Sequence, residues 1–193
     1  MDIIEEAVEA FSQLPGIGPK SAKRIVYSLI SSPQKGKRIK GAIERLSNDL
    51  TFCKICGNVS DGEVCKICSD PGRENTICVV GKPLDVMSFE KTGVYRGKYH
   101  VLGGLIDPLS GIGPQDLSIA ELKKRVEEEK APEVILALDS TVEGEATSAF
   151  ISSLLRGSAK ISRLASGIPV GSELEYTDQL TLSKALTDRM RED

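Results

Sequence analysis

Apolar positions recur at helical spacing through the first fifty residues, then give way to short, continuous apolar runs. Ile4, Ala7, Val8, Phe11 and Leu14 share one face of a helix predicted over Asp2–Leu14, and Asp2 can cap its start. Pro15-Gly16-Ile17-Gly18-Pro19 interrupts that pattern. A second helix runs from about Lys20 to Ile30, with Ala22, Ile25, Val26, Leu29 and Ile30 on one face. Pro19 suits its first turn, and Ser31-Ser32-Pro33 ends it. A third helix covers about Lys37 to Leu50, with Ile39, Ile43, Leu46 and Leu50 expected to point inward.

From residue 74 onward, strand and helix signals alternate. Thr76–Val80 reads as a buried strand and Pro83–Glu90 as a short helix. Tyr99–Leu102 is the next strand, ending in Gly103-Gly104. A Gly/Pro-rich loop, Asp107–Pro114, leads to Ser118-Ile119-Ala120-Glu121, which has the form of a capping box and opens a helix reaching about Lys130. The strand Val134–Leu138, the helix Glu143–Leu155 and the strand Ile161–Ala165 follow, and a last helix spans about Leu180–Arg189. Four apolar runs separated by helices predict an α/β fold with a mostly parallel sheet covered on both faces.

The 193 residues suit one ordinary domain with one or two small modules. With aromatics at 4% and no Trp, the core must be aliphatic. No stretch of about 18 uncharged apolar residues occurs, so no membrane-spanning helix is expected. The acidic start, Met1-Asp2-Ile3-Ile4-Glu5-Glu6, lacks the basic region of a signal peptide, which makes a cytoplasmic location the expectation.

Five cysteines are present: Cys53, Cys56, Cys65, Cys68 and Cys78. An odd count with two Cys-x-x-Cys pairs fits a metal site in a reducing compartment better than a disulfide framework. Two such pairs, eight residues apart, can place four thiolates around one tetrahedral zinc. A closed four-thiolate site leaves no position for a reactive water, so that zinc would be structural, one per chain. Cys78 lies inside a strand and reads as a core residue.

The net charge of -3 is unevenly spread. Between Gly16 and Arg45 stand Lys20, Lys23, Arg24, Lys35, Lys37, Arg38, Lys40 and Arg45 against the single acid Glu44. That segment is +7 and the remainder -10. A basic module on an acidic body points to a local polyanion contact. Gly16 and Gly18 let the turn come close to a ligand, and its N–H groups converge with the start of the second helix, where Lys20, Lys23 and Arg24 add charge. A phosphate held this way is read without its base, so nucleic-acid binding would be sequence-independent and salt-sensitive. Asp139 closes a strand, and Glu143 and Glu145 open the next helix. Carboxylates placed so could serve metal-dependent chemistry, but Ser140, Thr141, Glu143 and Glu145 equally favour a helix N-terminus. The single His100 lies in a strand and reads as structural, which leaves triad chemistry little to work with.

Leu14-Pro15-Gly16-Ile17-Gly18-Pro19-Lys20 closely resembles a helix-hairpin-helix motif. With the four cysteines, Tyr99–Gly104, Gly111-Ile112-Gly113-Pro114, Glu143–Thr147 and Gly167–Tyr176, the order of parts resembles the RecR family of bacterial recombination mediators over nearly the whole chain. The resemblance implies a helix-hairpin-helix region over 1–51 and a four-cysteine zinc finger over 52–72. A Toprim-like α/β domain would cover 73–167, and a Walker B-like segment with a closing helix 168–193. It implies ring-like oligomers, mainly tetramers, that bind single- and double-stranded DNA in the nucleoid and act with RecO and RecF to load RecA onto DNA coated by single-strand-binding protein. Lys20 and Arg24 would face DNA, and Glu143 and Glu145 would lie near the partner surface.

Catalytic Toprim enzymes carry a Glu after the first strand and an Asp-x-Asp pair after a later one. Here Gly81 and Asp139-Ser140-Thr141 stand instead. A non-catalytic mediator is therefore expected, with a magnesium-dependent Toprim nuclease or primase as the alternative. No Gly-x-x-x-x-Gly-Lys-Ser/Thr loop occurs, so independent nucleotide hydrolysis is not expected.

Overall fold

The computed structural model describes residues 2–165 and 167–189; the last four positions of the C-terminal segment lie outside them. The chain divides into two compact units, 1–50 and 51–193.

The first unit is helical: α1 (Ile3–Ser12), α2 (Pro19–Ser31) and α3 (Pro33–Asn48). Ala22 and Val26 of α2 are its buried residues, and Ile4, Ala7, Val8 and Phe11 of α1 are half-buried or at the margin of the packed face. Pro33 does more than end α2. It is the first residue of α3, and Ser32 alone separates the two helices, so α3 begins four residues before the apolar spacing suggests. The expected inward face of α3 is not buried by the other helices of its unit. Ile39, Ile43, Leu46 and Leu50 are all exposed. Helical spacing shows that a face is apolar but not what covers it.

The second unit opens with a two-stranded antiparallel pair, β1 (Thr51–Phe52) and β2 (Val59–Ser60), and a single-turn helix, α4 (Lys66–Ser69). Then come β3 (Ile77–Val80), α5 (Pro83–Thr92), β4 (Lys98–Val101), α6 (Ile119–Glu129), β5 (Glu133–Leu136), α7 (Val142–Leu154), β6 (Lys160–Arg163) and α8 (Gln179–Thr187). The four longer strands form one sheet in the order β4-β3-β5-β6, every pairing parallel. β3 is buried along its whole length, as a central parallel strand must be. On one face, Ile77, Val79, Val134 and Leu136 pack with Leu122 and Val126 of α6 and Ile151 of α7. On the other, Cys78, Val80, Tyr99 and Val101 pack with Val86 of α5. Cys78 is thus a core residue, its thiol pushed up to about 12 by burial.

The capping box expected at Ser118 does not form, because no side-chain cap hydrogen bond is made there. Ser118 is held instead through its backbone. Its N–H donates to Leu102 O at 3.0 Å, and its carbonyl accepts from His100 Nε2 at 2.8 Å. His100 is therefore a buried structural residue joining β4 to the start of α6.

Burial, reinforced by the nearby Arg125 charge, lowers the His100 pKa to about 4 despite that hydrogen bond. Its folded pKa lies below its unfolded one, so the protein is most stable above about pH 6.5 with respect to this group and loses stability as pH falls towards 4. The loss over that window amounts to about 3 kcal/mol at most. Urea unfolding at several pH values should show the decline in the natural protein and a flatter profile in His100→Gln.

Candidate nucleic-acid interface and metal centre

The link between α1 and α2 is a tight turn, closed by Ile17 N–H to Leu14 O at 3.0 Å, with Gly16 at φ +76°. The first main-chain bond of α2 runs from Ala22 N–H to Gly18 O at 3.0 Å. The N–H groups of Lys20 and Ser21 therefore have no main-chain acceptor, and Gly18 brings no side chain to cap them. They form an open helix terminus of the kind that can receive an anion. Lys20, Lys23 and Arg24 are exposed around it, and no acid stands in the first turn. A Cβ at Gly18 would meet nothing, and its φ of -81° is open to any residue, so the fold itself does not demand glycine there. The structure thus brings Gly16, Gly18, Lys20, Lys23 and Arg24 to one exposed surface.

The four cysteines converge equally well. Their sulfurs all lie within 4.8 Å of one another, and Cys56 Sγ to Cys65 Sγ is 3.6 Å. Four sulfurs at about 2.3 Å from a tetrahedral zinc stand about 3.8 Å apart, so a contraction of about 1 Å at most closes the site. Cys53, Cys56 and Cys65 are buried and Cys68 half-buried. The Cys65 N–H donates to Cys53 Sγ at 3.3 Å, the kind of contact that steadies a thiolate. Cys56 is held up by its bond to Cys68, and Cys68 is lowered to about 6 by the same bond and, in part, by the charge of Arg125. This donor set fits zinc. The site is docked on the sheet: Cys56 O accepts from Val101 N–H of β4 at 2.7 Å. Gly57, at φ +71°, lies so close that a Cβ would stand 2.9 Å from Val101 O.

Among the described residues, these cysteines are the only group of three or more His, Cys, Asp or Glu side chains able to share an ion. At the carboxyl end of the sheet, Thr141 caps α7 by accepting from Gly144 N–H at 3.2 Å, so the capping reading applies to it. Gly144 is packed against the loop, where a Cβ would sit 1.8 Å from Asp139 O. Glu145 bonds Arg163 Nη1 at 2.8 Å and lies 3.9 Å from Lys184 of α8. These groups, with Asp139 and Ser148, line a cavity of about 600 Å³ between α7, α8 and the ends of β5 and β6. Arg163 and Lys184 were not foreseen, because a contact 18 or 39 positions away in the chain has no local signature.

The profile of the RecR helix-hairpin-helix matches residues 4–47, that of the RecR four-cysteine zinc finger domain residues 50–70, that of the Toprim domain residues 75–165, and that of the RecR C-terminal region residues 167–190. The recombination protein RecR of Bifidobacterium longum subsp. infantis is 50% identical over 189 residues, covering 96% of this chain and 94% of the relative. The chain belongs to the RecR family. RecR proteins of Rhodococcus jostii and Mycolicibacterium smegmatis are each 46% identical over 194 residues, covering 96% of both chains. Within this RecR-type chain the open helix terminus belongs to the helix-hairpin-helix part and the four thiols to the zinc-finger part. No helix among the described residues is long and apolar enough to cross a membrane.

Proposed function

We propose that this protein is a non-catalytic DNA clamp that mediates recombinational repair in the cytoplasm, at the nucleoid. The observation that carries the reading is the uncapped start of α2, where two free N–H groups stand among exposed Lys20, Lys23 and Arg24. Such a site grips phosphates of single- and double-stranded DNA alike and reads no base. Gly16 and Gly18 allow the backbone to approach the strand. The exposed α3 residues Ile39, Ile43, Leu46 and Leu50 support assembly into a closed oligomer, a tetrameric ring in this reading. RecO and RecF are the proposed partners, with RecA loading as the outcome. The Glu143–Glu145 surface is the proposed docking area, beside exposed Val142.

Absence of catalysis is supported by chemistry at the sheet's carboxyl end. Gly81 offers no ligand, and Thr141 is occupied as a helix cap. Asp139 alone cannot hold magnesium as three carboxylates would. The magnesium-dependent nuclease or primase is the reading this disfavours.

Lys20→Ala with Arg24→Ala should lower DNA affinity at least about ten-fold and flatten its salt dependence, because each lost phosphate contact removes about 0.9 from the slope. Thermal stability should not fall, since both side chains are exposed. An unchanged titration at low salt would refute the assignment.

Cys53, Cys56, Cys65 and Cys68 are proposed to hold one structural zinc per chain, and chelation should unfold the 52–72 module while sparing the α2 site. Elemental analysis finding no metal near one equivalent would sink this.

A further inference from the structure

Between α2 and α3 of the first unit lies an open groove of about 440 Å³. Its apolar lining is Ile25 and Leu29 of α2, both half-buried, and Ile39 of α3, which is 39% exposed. Ser21 and Arg24 of α2 and Lys35 of α3, all exposed, line it as well. Ser21, Ile25 and Leu29 follow one another at four-residue spacing, as do Lys35 and Ile39, so each helix gives the groove one face. Among the described residues no carboxylate lines it. Of the exposed apolar residues along α3, Ile39 reaches the groove, whereas Ile43, Leu46 and Leu50 do not line it.

This lining selects its occupant. An apolar floor with a cation from each helix and no acid suits a flat apolar body that carries negative charge on both sides. A nucleotide within a strand is built that way, a base with a phosphate before it and another after it. The α2 or α3 of a second copy would instead set cation against cation, since the segment 16–45 is +7. The groove is also continuous with the start of α2. Ser21 supplies one of the two N–H groups left without a main-chain acceptor there, and Arg24 stands beside both. A strand whose phosphate rests on that terminus therefore delivers its neighbouring nucleotide to the groove. In a duplex the base faces are covered by stacking, so only a single strand places a base there without the cost of unstacking.

We propose that the α2–α3 groove is a base-accepting subsite, which takes one unpaired nucleobase of a DNA strand against Ile25, Leu29 and Ile39 while Arg24 and Lys35 hold the flanking phosphates. The proposal rests on the reading of α2 as a DNA-binding element and adds to it a preference for single strands. The contact tolerates any sequence, because every base has a face to bury. Anisotropy titrations of the full-length protein test it with three probes: an oligothymidylate, a strand of equal length built from abasic nucleotides, and a blunt duplex. The abasic strand keeps every phosphate and should bind about five-fold more weakly than the oligothymidylate, the low end for a base held on a protein surface. That ratio should hold as salt rises, while both affinities fall together. Ser28, exposed on α2, also lines the groove, and Ser28→Leu fills it, so this variant should bind the two strands equally. Equal affinity for both strands in the natural protein, or a ratio that survives in Ser28→Leu, would overturn the proposal. Equal affinity together with a lower sedimentation mass for Ser28→Leu would give the groove to a second copy instead. A natural protein that binds neither strand nor the duplex would overturn the DNA reading beneath it as well.

Discussion

DNA and the larger part of this chain repel each other. The segment 16–45 is +7 and the rest -10, so one copy offers a small basic patch and an acidic body. At about one phosphate charge per 1.7 Å of duplex, a few lysines give little affinity at physiological salt. Gathering several basic units around one lumen and turning the acidic surfaces outward removes the conflict, and closed symmetry is the usual way identical chains assemble. The proposed clamp follows from this constraint together with the uncapped α2 terminus. The α3 stripe of Ile39, Ile43, Leu46 and Leu50 gives such an assembly apolar surface to bury.

The metal module solves a different problem. β4 is an edge strand, and an open edge invites pairing with other chains. Cys56 O and the Arg125 guanidinium occupy the exposed Val101 N–H and Tyr99 O, so part of the edge is covered by groups of the chain itself. The cluster is thereby tied to the sheet as well as to its own short strands, and local order at Cys56 and Gly57 depends on β4 being in place.

Much of this was legible along the chain. Periodicity located the helices of the first unit and the strands and helices of the sheet to within a few residues, and Cys-x-x-Cys spacing alone marked four residues that meet in space. Other features were not legible. The α3 stripe reads as inward because an amphipathic pattern carries no record of its partner. Ser118 and Glu121 have the letters of a capping box, but the Ser118 backbone is already committed to Leu102 and His100. Arg125 stands among the charged residues between Lys123 and Glu129, yet it falls on the stripe of Ile119, Leu122 and Val126 and is buried with them. Helical phase was the signal that could have singled it out.

The central claim is that DNA binding belongs to a closed assembly and not to a single chain. Sedimentation equilibrium of the natural protein, with and without a short duplex, tests it most directly. A discrete mass of four chains that persists on DNA, with affinity vanishing at concentrations where the assembly dissociates, is the predicted result. A monomer that binds the duplex as tightly as the assembled form would contradict it.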